Sequence, residues 1–414
     1  MGHGVASQVM RTTFVLFTAV ALGCGGDRRT DDPSVDGAFT EGLPTPDVPE
    51  IGFATGFAVS AGPGYRVVHA SPDPSALEEG SARMWTDAVD RMVLVERGTR
   101  LRLPAELESA PRFEVPVRSV TVNRDADAVR VKRLGRLDRL RGIGGTGIYD
   151  SDLHRLVETG QLAAVGSALH RTTNTEFLLV EGIEAAFFRV ASLDHAQQYE
   201  RLRDVGVAAV PVFAWAERSY LGRAEWIRYI GLFLGAEEEA DGLFSAMVAR
   251  RDSLVALVSD APRVPAIWAF RSGDRWMVHR NSLESELLAD AGSENVFADV
   301  ASGVTEGEGG FTEGVPMTDE EFLLAAGRAR FWITWDRSDE EWPSKAYLDE
   351  IPAYREGRVY HHRVRVRPNQ GGDDWYEGAQ VDPTSVLADL IGLLHPDRVP
   401  DHRFEWIAPL ERVR

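Results

Sequence analysis

Residues 221–258 read LGRAEWIRYIGLFLGAEEEADGLFSAMVARRDSLVALV. Apolar side chains recur at three- and four-residue intervals and no proline interrupts them, so the spacing predicts one long helix, bent at Gly231 or Gly235. Upstream, strand and helix patterns alternate. Ser119–Val122 reads as a buried strand, Ala126–Leu134 as a helix closed by Gly135, and Leu137–Ile143 as a strand opening into a Gly-rich loop. Further candidates follow at Ser151–Glu158, Glu176–Val180, Ala185–Val190, His195–Asp204 and Val207–Phe213. The alternation resumes downstream with a strand at Val264–Phe270, a helix at Ser282–Ala291, strands at Ala329–Thr334 and Arg358–Val366, and a closing helix at Thr384–Leu394. Strands that alternate with helices build parallel sheets. The fold class is therefore α/β: two Rossmann-like lobes with central parallel sheets joined by one long backbone helix. From Phe53 to Val115, short apolar runs punctuated by Gly and Pro add a small N-terminal β-rich segment.

The first 52 residues read differently. Arg11, the short apolar run Thr12–Leu22 and then Gly23-Cys24 form a charged region, an apolar region and a small-residue cleavage point. This arrangement resembles a bacterial lipoprotein signal, with Cys24 as the lipidated residue; Ala21 stands where such signals usually carry Leu. Met10-Arg11 is the more natural start. The run is too short to span a bilayer, which needs about 20 residues. Residues 25–50, rich in Asp, Gly, Pro and Thr, read as a solvated tether. The expected divisions are 1–23 signal peptide, 24–52 tether, 53–114 β-rich segment, 115–214 N-terminal lobe, 215–258 bridging helix, and 259–414 C-terminal lobe and tail.

Composition narrows the function. A net charge of −19 over 414 residues argues against nucleic acid, whose phosphates reward clustered cations. The single cysteine excludes an intramolecular disulfide and a Cys-rich metal site. Gly142-Ile-Gly-Gly-Thr-Gly147 satisfies G-x-G-x-x-G, but no acidic residue lies between Gln161 and Ser167, where a dinucleotide site would need one for the ribose. On a strand, His361 and His362 would point to opposite faces and could not chelate one metal together. Arg363, Arg365 and Arg367 would share one face, either solvated or lining an anion site. No G-x-S-x-G, H-E-x-x-H or P-loop sequence is present. Nothing in the sequence supports catalysis, so no enzyme activity, no cofactor and no resident metal are expected.

Val115-Pro-Val-Arg-Ser-Val-Thr-Val122, Val210-Pro-Val-Phe213 with Leu221-Gly-Arg-Ala-Glu-Trp-Ile-Arg228, Gly292, Asn369-Gln-Gly-Gly-Asp-Asp-Trp-Tyr-Glu377 and the closing Leu390–His402 together carry a resemblance. Over roughly residues 53–410 the chain resembles the iron-chelate and vitamin B12 class of periplasmic substrate-binding proteins of ABC transporters. The resemblance implies two lobes bridged by a helix, with modest closure around a ligand held in the cleft. It also implies a metal-chelate ligand (a ferric siderophore, haem or a corrinoid), an ABC permease and its ATPase as partners, a monomeric state, and a lipid-anchored place in the periplasm or cell envelope. Family members dock through one glutamate on each lobe; the matching positions are Glu176 and Glu320, with Glu321 the competitor for the second. Asn123-Arg-Asp125 replaces the Ser/Thr-rich turn usual after the first strand. By their place at the carboxyl ends of strands, Asn123, Arg124, Tyr149, Trp215, Trp268, Arg271, Trp276, Arg280 and Trp375 are the candidate cleft residues. They would make an aromatic, arginine-rich cleft suited to a flat or anionic chelate. Two other readings use the same fold: a secreted enzyme, which would need a catalytic constellation across the cleft, and a surface-interaction lipoprotein, which would need a filled or absent cleft.

Overall fold

The computed structural model describes residues 43–72, 90–166, 173–298, 314–367 and 371–413. The expected signal peptide, Cys24 and the expected tether up to residue 42 lie outside the described residues.

Four strands, β1 (Phe57–Gly62), β2 (Tyr65–Ala70), β3 (Asp90–Glu96) and β4 (Arg112–Val115), form a sheet in sequence order, antiparallel except for the parallel β3/β4 pair. The first lobe follows with β5 (Val120–Val122), α1 (Asp125–Arg133), β6 (Leu140–Ile143), α2 (Ser151–Glu158), β7 (Ala163–Ala164), α3 (Thr175–Val180), β8 (Ala185–Arg189), α4 (Leu193–Asp204) and β9 (Ala209–Val212). Its strands are all parallel, in the order β7-β6-β5-β8-β9. β5, β8 and β9 are buried along their whole length, as expected of parallel strands covered on both faces.

The stretch 221–258 is two helices rather than one. α5 (Tyr220–Leu234) ends at Gly235, whose φ of 56° is left-handed, and α6 (Glu237–Val258) starts two residues later. Glycine is required at the break twice over, because a Cβ there would also lie 2.6 Å from Pro116 Cγ. Only Arg228 of α5 escapes full burial, so α5 is a core helix, packed on β4, α1 and α6. α6 buries a narrow stripe of Ala240, Phe244, Met247 and Val258, and both α5 and α6 pack against helices of the second lobe. The N-terminal sheet is tied to α5 and the turn before it by two buried carboxylates. Glu225 accepts from the backbone N–H groups of Gly52, Phe53 and Ala54, and Glu217 from those of Thr55 and Gly56 and from Trp226 Nε1.

The second lobe comprises β10 (Val264–Ser272), β11 (Arg275–His279), α7 (Leu283–Asp290), β12 (Ser293–Asn295), β13 (Gly314–Met317), α8 (Asp319–Ala326), β14 (Phe331–Thr334), the short helices α9 (Lys345–Leu348) and α10 (Pro352–Arg355), β15 (Val359–His361), α11 (Gly378–Val381), α12 (Thr384–Leu394) and β16 (Ala408–Pro409). Its sheet runs β13-β11-β10-β14-β15-β16, with β12 beside β10; the centre is parallel and β11, β13 and β16 add antiparallel edges. The strand expected over Arg358–Val366 stops at His361. The shared arginine face therefore does not form. Arg363 and Arg365 instead pair with Asp373 (2.9 Å) and Asp374 (2.6 Å), and Arg367 Nε donates to the Tyr149 carbonyl of the first lobe. Gly142 serves packing, since a Cβ there would lie 2.5 Å from Val165 Cγ1. Among the described residues no helix is long and apolar enough to cross a membrane.

Candidate functional site

A cavity of about 390 Å³ opens between the lobes, at the carboxyl ends of β5, β8 and β9 on one side and of β10, β14 and β15 on the other. Open α/β sheets bind ligands at this edge, because loops can diverge there and helix N-termini point at it.

The first-lobe wall is cationic. Arg189 closes the apolar strand β8, so its side chain emerges at the cavity with only 3% of its surface exposed. Its Nε and Nη1 have no hydrogen-bond partner, and its guanidinium lies 5.5 Å from the centroid of the Trp215 ring. Burial, then the charges of Arg124 and Arg223, push its pKa well below the usual arginine value; Asp127 opposes them. Arg223 is held by Gln380 Oε1 (2.8 Å) and the Trp215 carbonyl (2.8 Å). Arg130 Nη1 donates to Asp127 Oδ1 (2.6 Å) and its Nη2 to the Arg223 carbonyl. This frame thus leaves two buried nitrogens of Arg189 for a ligand to satisfy.

The second-lobe wall is aromatic. Trp268 is fully buried, with His362 at 5.3 Å and Trp375 at 5.5 Å between ring centroids, and His362 lies 4.1 Å from Trp375. Neither His362 ring nitrogen has a partner, and burial drives its pKa down to about 3, so the ring is neutral at ordinary pH. Beside it His279 Nδ1 meets Glu284 Oε2 at 3.2 Å. Burial alone would raise the Glu284 carboxyl, but the His279 charge and hydrogen bond, with Ser282 and the backbone, outweigh it and bring it to about 2. Among the described residues no group of three or more His, Cys, Asp or Glu side chains could hold a metal ion.

Of the nine candidate cleft residues, Arg124, Trp215, Trp268, Arg271 and Trp375 line the cavity. Four do not. Asn123 is buried beneath the floor, its Oδ1 accepting from the Arg189 backbone N–H (2.7 Å), so it positions the arginine without lining the cavity. Trp276 sits in the second-lobe core, stacked on Phe322 at 4.4 Å, because β11 is paired on both edges and turns this residue inward. Tyr149 lies in the seam between the lobes, beside Arg365 and Arg367. Arg280, one residue past β11, is half-buried outside the cavity. The sequence reading missed Arg189, Arg223, His279, Glu284, Trp335 and His362, all of which line the cavity. One signal was available for the first of these: a single arginine at the next-to-last position of the apolar strand candidate Ala185–Val190.

Glu176 and Glu320 are both exposed, each the second residue of its helix, α3 and α8. Glu321, the competitor, accepts from Thr318 N–H in a capping box (2.8 Å).

No family model matches the chain. In sequence it is similar to an uncharacterised lipoprotein of Methanocaldococcus jannaschii, 24% identical over 211 residues (48% of this chain and 49% of the relative). A second uncharacterised lipoprotein of that organism is 21% identical over 257 residues (60% and 56%). The chain spans about half the length of the curated relatives it matches. In structure it is similar to a possible iron-binding periplasmic solute-binding protein of Staphylococcus epidermidis (TM-score 0.52, 15% identity, 68% of this chain and 99% of that one). It is also similar to Helicobacter pylori CeuE with Ni(II) bound (0.51, 14%, 70% and 88%) and to an ABC transporter solute-binding protein of Sulfurospirillum deleyianum (0.50, 16%, 70% and 87%). The fold is the two-lobe α/β architecture of periplasmic solute-binding proteins.

Proposed function

We propose that this protein is an extracytoplasmic solute-binding lipoprotein that captures an anionic metal chelate between its lobes and delivers it to an ABC importer. The observation that carries the reading is Arg189: a buried guanidinium with unpartnered N–H groups, crowded by two further arginines, in a cavity faced by tryptophans. A buried unpaired charge is costly, and an anionic ligand would offset that cost on binding. The aromatic wall suits a flat or π-rich ligand. The volume sits near the lower end of ligand cavities, about 300–1,000 Å³, which favours a compact ferric siderophore or haem over a corrinoid. On this reading Glu176 and Glu320 dock the lobes on the permease, Cys24 carries the lipid that holds the body at the cell envelope, and the protein performs no chemistry.

The test is tryptophan fluorescence of residues 25–414 titrated with ferric siderophores, haem and cobalamin. Saturable quenching by an anionic chelate, weakened in Arg189→Ala, is the expected result. Saturable binding of cobalamin alone, or no binding across the panel, overturns it.

A further inference from the structure

The segment from Asp373 to Asp382 belongs to the second lobe by sequence, lying between β15 and α12, yet it is fastened to the first lobe. Glu377 is the centre of the fastening. Its side chain is 1% exposed and accepts from two backbone N–H groups across the seam, Tyr149 N to Oε1 at 2.6 Å and Asp150 N to Oε2 at 3.1 Å. Around it, Arg223 Nη1 reaches Gln380 Oε1, Arg130 Nη2 reaches the Gln380 carbonyl, and Arg133 pairs with Asp382 at 3.3 Å. The backbones are in close contact as well: a Cβ on Gly372 would lie 2.7 Å from Tyr149 N. Trp375, Tyr376 and Gln380 on this same segment line the cavity.

The charged groups facing Glu377 do not neutralise it. Asp125, in the first turn of α1, faces it from the first lobe, and Asp374 stands on its own segment. The nearby cations are engaged elsewhere: Lys132 with Asp150 (2.7 Å), Arg130 with Asp127, Arg365 with Asp374, Arg363 with Asp373. Arg367 donates to the Tyr149 carbonyl, and Arg223 is taken by Gln380 and the Trp215 carbonyl. A carboxyl in that setting is favoured in its neutral form.

We infer that Glu377 is a positioning residue that fastens the aromatic wall of the cavity to the first lobe through a proton-dependent contact, closed at neutral and acidic pH and loosened as the pH rises. Burial first, then the charge of Asp125, raises the Glu377 carboxyl to about 8 despite its two N–H donors, and burial raises Asp125 to about 6. A carboxyl whose pKa is raised in the closed state stabilises that state fully below its unperturbed value near 4.5, and the contribution is lost as pH climbs towards 8. This device goes beyond the binding reading and needs no ligand to be tested, so the two can fail separately.

The experiment is hydrogen exchange of the Tyr149 and Asp150 amides in residues 25–414, corrected for the intrinsic base-catalysed rate, with the amides of α6 as the control for an intact fold. In the wild type, protection at these two amides falls by about tenfold or more from neutral pH to one unit above the Glu377 pKa, each unit being a factor of ten. Glu377→Gln keeps an acceptor without the ionisation, and its protection stays level with pH. Asp125→Asn moves the wild-type transition to lower pH, because it removes a negative charge that raises the Glu377 carboxyl, and a transition that stays in place or rises counts against the inference. Glu377→Gln with the wild-type pH dependence, or Glu377→Ala with undiminished protection at neutral pH, overturns the inference.

Discussion

On the first-lobe side of the cavity a charge is left waiting, with Arg189 buried and two of its nitrogens unpartnered. On the second-lobe side the charged groups are already matched, Glu284 with His279 and Arg271 with Asp319, and what remains is ring surface with a neutral imidazole. The contrast separates two tasks. The first wall can discriminate by charge because its frame, Asn123 under Arg189 and Gln380 on Arg223, holds guanidinium groups close together against their repulsion. The second wall contributes shape and is packed into the core that the two lobes share, so changes there should act on stability first.

The largest effect should come from cutting into the packed wall. Trp375→Ala is expected to destabilise the protein by about 3–5 kcal/mol, the usual range for truncating a buried large aromatic, whereas Trp215→Ala, on a half-buried residue of the opposite wall, should cost clearly less. Denaturant unfolding of the two variants measures the difference, and equal losses would break the contrast.

Next in size is Arg189→Met. Affinity for an anionic chelate should fall about 10- to 100-fold, since hydrogen bonds to charged groups contribute about 1.5–3 kcal/mol. The thermal midpoint should rise, because the substitution removes a buried charge that has unpartnered nitrogens. A lower midpoint with unchanged affinity would make Arg189 a structural residue.

The smallest effect belongs to His362. Its pKa is about 3 in the folded protein against 6.5 unperturbed, so its contribution is intact above pH 6.5 and is lost as the pH falls towards 3. One unit below 6.5 the loss should be about 1 kcal/mol. His362→Phe should flatten that part of the stability profile, and an unchanged slope would place the acid sensitivity elsewhere, His361 being the next group to examine.

Much of the layering could be read from apolar spacing. α2 occupies Ser151–Glu158 and α12 Thr384–Leu394, the ranges expected, because each carries a regular apolar period. The break at Gly235 was harder to place: the apolar pattern runs through it, and the left-handed turn answers to Pro116, more than a hundred residues earlier in the chain. The end of β15 at His361 was hidden for a related reason, since Arg363 and Arg365 leave the sheet to meet aspartates of a later loop. Of the five cleft residues found, Arg124 and Trp215 follow the ends of β5 and β9, whereas Trp268 and Arg271 lie within β10. Trp276 was misplaced because alternation on β11 could not be oriented before its partners β10 and β13 were known. Arg189 was passed over because the candidate strand Ala185–Val190 placed it inside a run read as buried, although it stands at the carboxyl end where β8 stops.

The carboxylates of Glu217 and Glu225 bear on mechanics. Together they hold five consecutive backbone N–H groups, from Gly52 to Gly56, just before β1 begins. Tension arriving along the chain from the N-terminal side meets first the single bonds of Pro44 and Asp47 to the β1–β2 hairpin and then these five, which share the load in parallel. The force passes into α5 and so into the core of the first lobe, while strand β1 is spared from peeling away edge first.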